Sequence, residues 1–370
     1  MKSTSVEFTH ILNLCPSIRY IHWGQRQVSG KTEREWRTLS RRRSTDTEDH
    51  SNDYEKREAN GLRRVEFYNK HGQQHILALT TVLQEPSLLE HLRLAGKRGD
   101  LYQLFESFKY YNINLLSHPS QLKALELVDF EVIHDTANSI SSEGFFNFFQ
   151  HIERLKMDFC GHRFRNVDEE RNTISKLVKV IGHQLHQLRD LYLDFAFCAD
   201  GDTARILGDN VFTTLCDGNQ KLEILHLKNA SISNDMLLDL CHHPKLHTLK
   251  LEGYQVHKHL TVDGWISFAR KLKEQEQNGG GRIQSIWLYF EYCVGITDEV
   301  LEEFAGIKSL ESLRIERNRN ITDTGVNKFA SIRRSISKKY KRIELYNCST
   351  VSLDNPNALF PSSSFCLFIY

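Results

Sequence analysis

The chain has 370 residues, with 48 Lys and Arg against 47 Asp and Glu, so its formal net charge is +1 and a nucleic-acid binder working by bulk charge is excluded. At 40% hydrophobic and 26% charged residues the composition is that of a globular protein, and global disorder is excluded as well. The opening MKSTSVEFTH has no apolar stretch and nowhere do about 18 apolar residues run together. The sequence therefore predicts no signal peptide, no membrane span and an intracellular protein of cytoplasm or nucleus.

Taken in chain order, one pattern recurs eleven times: L-x-x-L-x-L, with other aliphatic or aromatic residues allowed at each apolar place. It begins with Ile18/Ile21/Trp23, Leu62/Val65/Phe67, Leu89/Leu92/Leu94, Leu122/Leu125/Leu127 and Ile152/Leu155/Met157. It continues with Leu188/Leu191/Leu193, Leu222/Leu225/Leu227, Leu246/Leu249/Leu251, Ile283/Ile286/Leu288, Leu310/Leu313/Ile315 and Tyr340/Ile343/Leu345. The mean period is about 32 residues, within the range of solenoid repeats. The last two apolar positions stand two apart, which puts both on one face of a short strand. Between these strands lie segments of helical period. One has Leu101, Leu104, Phe105 and Phe108 after Asp100. A second has Ile174, Leu177, Val178, Ile181 and Leu185, with Asn172 or Thr173 as N-cap, and a third has Trp265, Phe268, Ala269 and Leu272 after Asp263. Strand followed by helix, returning to a parallel strand, predicts an α/β solenoid with about eleven parallel strands on the concave face and helices on the convex face.

Three stretches depart from the repeat. Residues 24–60 contain SRRRSTDTEDHSNDYEKREAN, with almost no apolar residue after Trp36 and Leu39, and read as a disordered polar insertion that Ser44, Thr45 or Thr47 could place under phosphorylation. EQEQNGGG at 274–281 reads as a flexible loop. The apolar run from Phe365 to Tyr370 is too short for a membrane and reads as a cap or tail. The expected organisation is a first repeat in 1–23, the insertion in 24–60, the solenoid in 61–349 and a C-terminal cap or tail in 350–370.

No phosphate-binding, dinucleotide-binding, nucleophile-elbow or H-E-x-x-H motif occurs, so neither enzymatic activity nor a cofactor is expected. Among the 18 histidines, His183 and His186 are three apart on one helix, and Cys241, His242 and His243 are contiguous. Contiguous residues point in different directions, so these read as structural or solvent-facing rather than as metal ligands. The eight cysteines lack C-x-x-C pairing and read as reduced thiols.

The segment LESLRIERNRNITDTGV, from Leu310 to Val326, resembles the cysteine-containing leucine-rich repeats of F-box proteins. Asn318 holds the Cys/Asn place, followed by Ile321, Thr322 and Asp323. YCVGITDEVLEEFA matches from Cys293 through Asp298, with a strand register two residues later, since Cys293 pairs with Leu288 and Phe290 rather than with Ile286 and Leu288. Cys160 and Cys348 sit at the expected offset after Met157 and Leu345, and CPSIRYIHW at 15–23 looks like the entry to a repeat. The Cys/Asn place lies just past the strand, where a small buried group can meet backbone polar groups. The resemblance implies a ribonuclease-inhibitor-like horseshoe and the substrate-recognition part of a cullin ubiquitin ligase receptor. No F-box helical segment is recognisable before the repeats, so the ligase adaptor is an expected partner only if an F-box lies upstream. The other reading is a ubiquitin-independent adaptor or inhibitor.

In either case the ligand is a protein held on the concave face, with no nucleic acid and no membrane, by a chain that is a monomer on its own. The residues alternating with the inward apolar pair face outward there, among them His91, Arg93, Glu126, Arg154, Lys156 and Lys250. The expected partner-binding residues are Tyr192, Trp287, Tyr289, Arg314, Arg342 and Tyr346, because large aromatics beside arginine make interface hot spots.

Overall fold

The computed structural model describes residues 20–24, 64–69, 89–100, 122–132, 146, 149–162, 167–195, 211–230, 232–253, 260–278, 283, 285–291, 295–336, 341–348, 351 and 365–369. The expected helix over 101–108 and nearly all of the 24–60 insertion lie outside them. So do Cys15 and Cys293.

All eleven apolar motifs become strands. They are β1 Tyr20–Gly24, β2 Arg64–Asn69, β3 His91–Asp100, β4 Ala124–Val132, β5 Arg154–His162 and β6 Asp190–Asp194, then β7 Ile224–Lys228, β8 Thr248–Gly253, β9 Ser285–Glu291, β10 Leu310–Glu316 and β11 Lys341–Tyr346. The count agrees with the expected eleven or so; in addition Phe365–Ile369 forms β12, parallel to β11, so the apolar C-terminal run extends the sheet. The twelve strands make one sheet in strict chain order, each parallel to its neighbour. The helices are α1 Val167–Gln184, α2 Val211–Gly218, α3 Asn234–His242, α4 Val262–Gln277, α5 Asp298–Ala305 and α6 Asp323–Ile336. This is a leucine-rich-repeat solenoid.

The register explains the motif. Leu92, Leu125, Leu155, Leu191, Leu225, Leu249 and Ile286 stand opposite one another in successive strands, and each is fully buried. A second row runs from Leu94 to Leu288. Between β9 and β10 the register moves by two residues: Leu313 opposes Leu288 and Ile315 opposes Phe290, with an irregularity between Leu310 and Ser312. Phe290 thereby enters the core, its ring 4.9 Å from that of Trp265. Cys293 itself lies outside the described residues, but the expected slip is there.

Helix boundaries follow capping more closely than apolar period. Helix α1 begins at Val167, so Asn172 and Thr173 lie inside it rather than at its start. Thr261 caps α4 by accepting a hydrogen bond from the Gly264 N–H. The same helix continues to Gln277, which makes 274–277 helical rather than part of a loop.

Cap residues also link one repeat to the next. Asn234, at the start of α3, accepts from the Thr261 N–H at 3.2 Å and donates to its Oγ1 at 3.0 Å. Asp298, at the start of α5, accepts from the Thr322 N–H at 2.8 Å and from its hydroxyl. Gly264 and Gly325, each three residues after those threonines, leave the space these side chains need. A Cβ at Gly264 would stand 1.8 Å from Asn234 Oδ1, and one at Gly325 2.0 Å from Asp298 Oδ1. The I-T-D-x-G signature is thus a contact between repeats.

The Cys/Asn place does what its chemistry suggests. Asn318, nearly fully buried, donates to the Ile296 carbonyl at 3.0 Å and accepts from the Asn320 and Ile321 N–H groups. One repeat later Cys348 donates to the carbonyls of Ile315 and Tyr346. Burial pushes the thiols of Cys216 and Cys241 up to about 12 and also raises that of Cys348, so all three are protonated and unreactive at neutral pH.

Candidate functional site

The face of the sheet opposite the helices carries the residues that alternate with the buried rows, and period two places every expected contact residue there. The register sorts them into two groups. Lys156, Tyr192, His226, Lys250 and Trp287 follow one another across β5 to β9. Tyr289, Arg314 and Glu344 follow one another across β9 to β11, with Glu316 and Tyr346 as the next paired position outward.

The second group is a stacked unit. The Arg314 guanidinium lies 4.6 Å from the Tyr289 ring centre and 4.4 Å from that of Tyr346, between two aromatic faces. Its Nη2 donates to Glu316 at 3.3 Å, and Tyr289 donates its hydroxyl hydrogen to the same carboxylate at 3.0 Å. Glu344, almost covered, stands 3.8 Å from Arg314 and is also bonded by Arg342. Four of the six expected contact residues are therefore brought together, and they largely satisfy one another.

Tyr192 lies apart, three strands from Trp287. Its hydroxyl donates to Asp194 at 3.3 Å, its ring meets His226 edge-on at 4.5 Å, and Lys156 sits 4.6 Å above it. Burial, reinforced by the Asp194 charge, raises its pKa, so the phenol stays protonated. Asp194, although on the open face, is buried: Lys228 at 3.0 Å and the Asn229 amide at 3.0 Å cover it. Its sequence signal is its place two residues after Tyr192 and opposite Lys228 in the next repeat.

Trp287 is different. It is 41% exposed, the single large hydrophobic residue so exposed among the described residues. Its Nε1 donates to Ser285 Oγ at 2.8 Å, and the Lys250 ammonium lies 4.9 Å from its ring centre. The indole is thus held at one edge and from one face, with the remaining surface open.

Next to it lies a hollow of about 320 Å³, lined by Arg154, Lys156, Asp190, Tyr192, Ile224, His226 and Lys250, and closed on the β3 and β4 side by His91 and Glu126. Burial raises the pKa of Asp190 and nearby Arg154 opposes that rise, while a hydrogen bond from His91 lowers that of Glu126.

The histidines once weighed as metal ligands are scattered. His183 and His242 are exposed. His186 contacts the Gly218 carbonyl, and His243 is buried with Nδ1 accepting from the Leu246 N–H and Nε2 facing the Asn219 carbonyl. Among the described residues no three His, Cys, Asp or Glu converge as metal ligands, and no helix is long and apolar enough to cross a membrane.

No family model and no curated protein matches the chain. Among solved structures, a TLR13–ssRNA13 complex is similar over 84% of this chain and 38% of that one, at 15% identity and a TM-score of 0.35. The chain spans well under half the length of that structure. A likeness this distant adds nothing to the arrangement above.

Proposed function

We propose that the chain is a protein-binding leucine-rich-repeat module that seats a protein partner on the open face of its sheet, with Trp287 as the anchor. The observation that carries this reading is the exposed indole, fixed by Ser285 and Lys250 on a rigid strand: a large apolar surface already immobilised loses little entropy on binding. The stacked Tyr289, Arg314 and Tyr346, with Arg342 alongside, form a stiff wall beside it, and Tyr192 bounds the face on the other side. Trp287→Ala is expected to weaken partner binding by about 2 kcal/mol with little change in stability, whereas Glu302→Gln on the helical face changes neither. Side-by-side affinity capture with both variants tests this; an unchanged partner set for a folded Trp287→Ala protein moves the site off this face.

The finer reading is a substrate-recognition part of a cullin ubiquitin ligase receptor. Its support is the repeat signature, with Asn318 and Cys348 at the Cys/Asn place and Thr322–Asp323 after it. The discriminating measurement is whether the captured partner is ubiquitinated, and lengthened in half-life when the chain is depleted. A partner bound with unaltered turnover assigns the chain instead to a ubiquitin-independent adaptor or inhibitor.

A further inference from the structure

The charges on the open face are nearly all used internally. Glu126 pairs with His91 at 2.8 Å and Arg93 at 3.7 Å, Lys156 with Asp158 at 3.4 Å, Lys228 with Asp194 at 3.0 Å, and His226 with Glu252 at 3.1 Å. Arg314 and Arg342 are taken by Glu316 and Glu344. Two cations stand outside this ladder. Among the described residues neither Arg154 nor Lys250 has a carboxylate within ion-pair distance, and both look into the hollow beside Trp287. A single half-buried acid, Asp190, feels both of them.

From this we infer that the hollow receives one carboxylate of the partner, an Asp or Glu side chain between Arg154 and Lys250, while an adjoining bulky apolar side chain of the same segment lies on the open surface of Trp287. The inference rests on the protein-binding reading above and adds the chemistry of the partner. Charge complementarity selects the carboxylate: two cations against one acid leave a single positive charge to match. Asp190 and Glu126, the two acids that line the hollow, oppose a phosphate dianion or a polyanion more strongly than a single carboxylate. The volume of about 320 Å³ accommodates a side chain rather than a domain surface. The contact is charge-assisted and partly desolvated at its base, where Tyr192 and Ile224 line the hollow.

Asp190 gives the inference an opposite-signed test. Short synthetic peptides displayed as an array, with Glu, Gln, Lys or phosphoserine placed beside Phe or Leu, are titrated against the full chain and its Arg154→Gln, Lys250→Gln, Asp190→Asn and Trp287→Ala variants, each checked by thermal unfolding. For the wild type, Glu peptides are expected to bind about tenfold more tightly than their Gln counterparts. Arg154→Gln and Lys250→Gln abolish most of that preference, Asp190→Asn enlarges it, and Trp287→Ala weakens Glu and Gln peptides alike. Absence of a Glu-over-Gln preference, a preference for Lys or only for phosphoserine, or a Glu preference indifferent to Arg154 and Lys250 overturns the inference. If Trp287→Ala still lowers affinity in those cases the protein-binding face stands without its acidic ligand; if no variant alters binding, both fall.

Discussion

Arg333 on α6 is buried to 1% exposure, yet its guanidinium is not paired with an acid. It donates to the carbonyls of Ala305, Ile307 and Leu310, which are left without helical donors where α5 ends and β10 begins. Burial brings its pKa down to about 10, with Glu276 opposing, so it remains charged at neutral pH. Arg333→Met removes a charged donor from three carbonyls, of which that of Ile307 also accepts from the Leu310 N–H, and is expected to cost about 3 kcal/mol, read as a lowered denaturant midpoint at constant m. Lysine is a poor replacement, because one ammonium cannot span three carbonyls as a planar fork does. Arg317 has φ of 55°, the left-handed conformation that Asn229 and Asn347 adopt at the equivalent place after β7 and β11. An arginine there carries the strain that asparagine tolerates, so Arg317→Asn is expected to raise stability by about 0.5 to 1 kcal/mol.

Two acids of the open face also carry a pH signature. Hydrogen bonds from His91 and His226 hold the Glu126 and Glu252 carboxyls below their ordinary value of 4.5. A carboxyl whose folded pKa is depressed stabilises the native state fully above that ordinary value. The contribution is lost as pH falls through the lowered one. Glu126→Gln and Glu252→Gln are therefore expected to flatten the acid limb of the stability profile below pH 4.5 while leaving the neutral limb parallel to wild type, as thermal melts across pH can show.

Side chains at the ends of helices join one repeat to the next. Because Asp298 of α5 reaches Thr322, just before α6, Gly325 must lack a Cβ. Gly325→Ala is expected to cost about 1 to 3 kcal/mol, and the double variant with Asp298→Ala less than the sum of the two, since the clash and the bond share one space. Gly264 and Asn234 repeat the arrangement between α3 and α4, and the same cycle there is an independent check. Helices α1 and α2 approach through two glycines, where a Cβ at Gly218 would stand 2.0 Å from the Gly182 carbonyl. The register shift at β9 has a packing counterpart: it sets Phe290 opposite Ile315 of β10, and the Phe290 ring meets Trp265, which Phe304 also touches edge-on.

At the scale of the whole molecule, every strand among the described residues pairs only with the strands next to it in the chain. Stability in such an array is a sum of repeats and their interfaces, and damage stays local. Leu191→Asp and Leu313→Asp each put a charge into a dry row of leucines and are each expected to cost several kcal/mol, about 4 or more. Hydrogen exchange is expected to rise around β5–β7 in the first and around β9–β11 in the second. A uniform loss of protection in either variant would mean that the array unfolds as one cooperative unit.

Eleven strands, their inward rows and the shift at β9 were legible in the sequence because strand side chains alternate with period two and each repeat presents the same apolar pair to the same neighbours. Identity of position carried that information, and position is one-dimensional. The twelfth strand was not legible, since an isolated apolar run at a terminus has no repeat partner in the sequence to set it against. The start of α1 differs from its expected place for a related reason: the apolar period marks the packed face, whereas capping marks the end. The six contact residues could be assigned to a face but not to one another. That Tyr289, Arg314 and Tyr346 stack and satisfy Glu316 and Glu344, while Arg154, Lys250 and Trp287 stay open, depends on distances between side chains from strands about 30 residues apart in the chain. Which charges are spent within the protein and which remain for a partner is a property of pairing in space, and only the tertiary structure decides it.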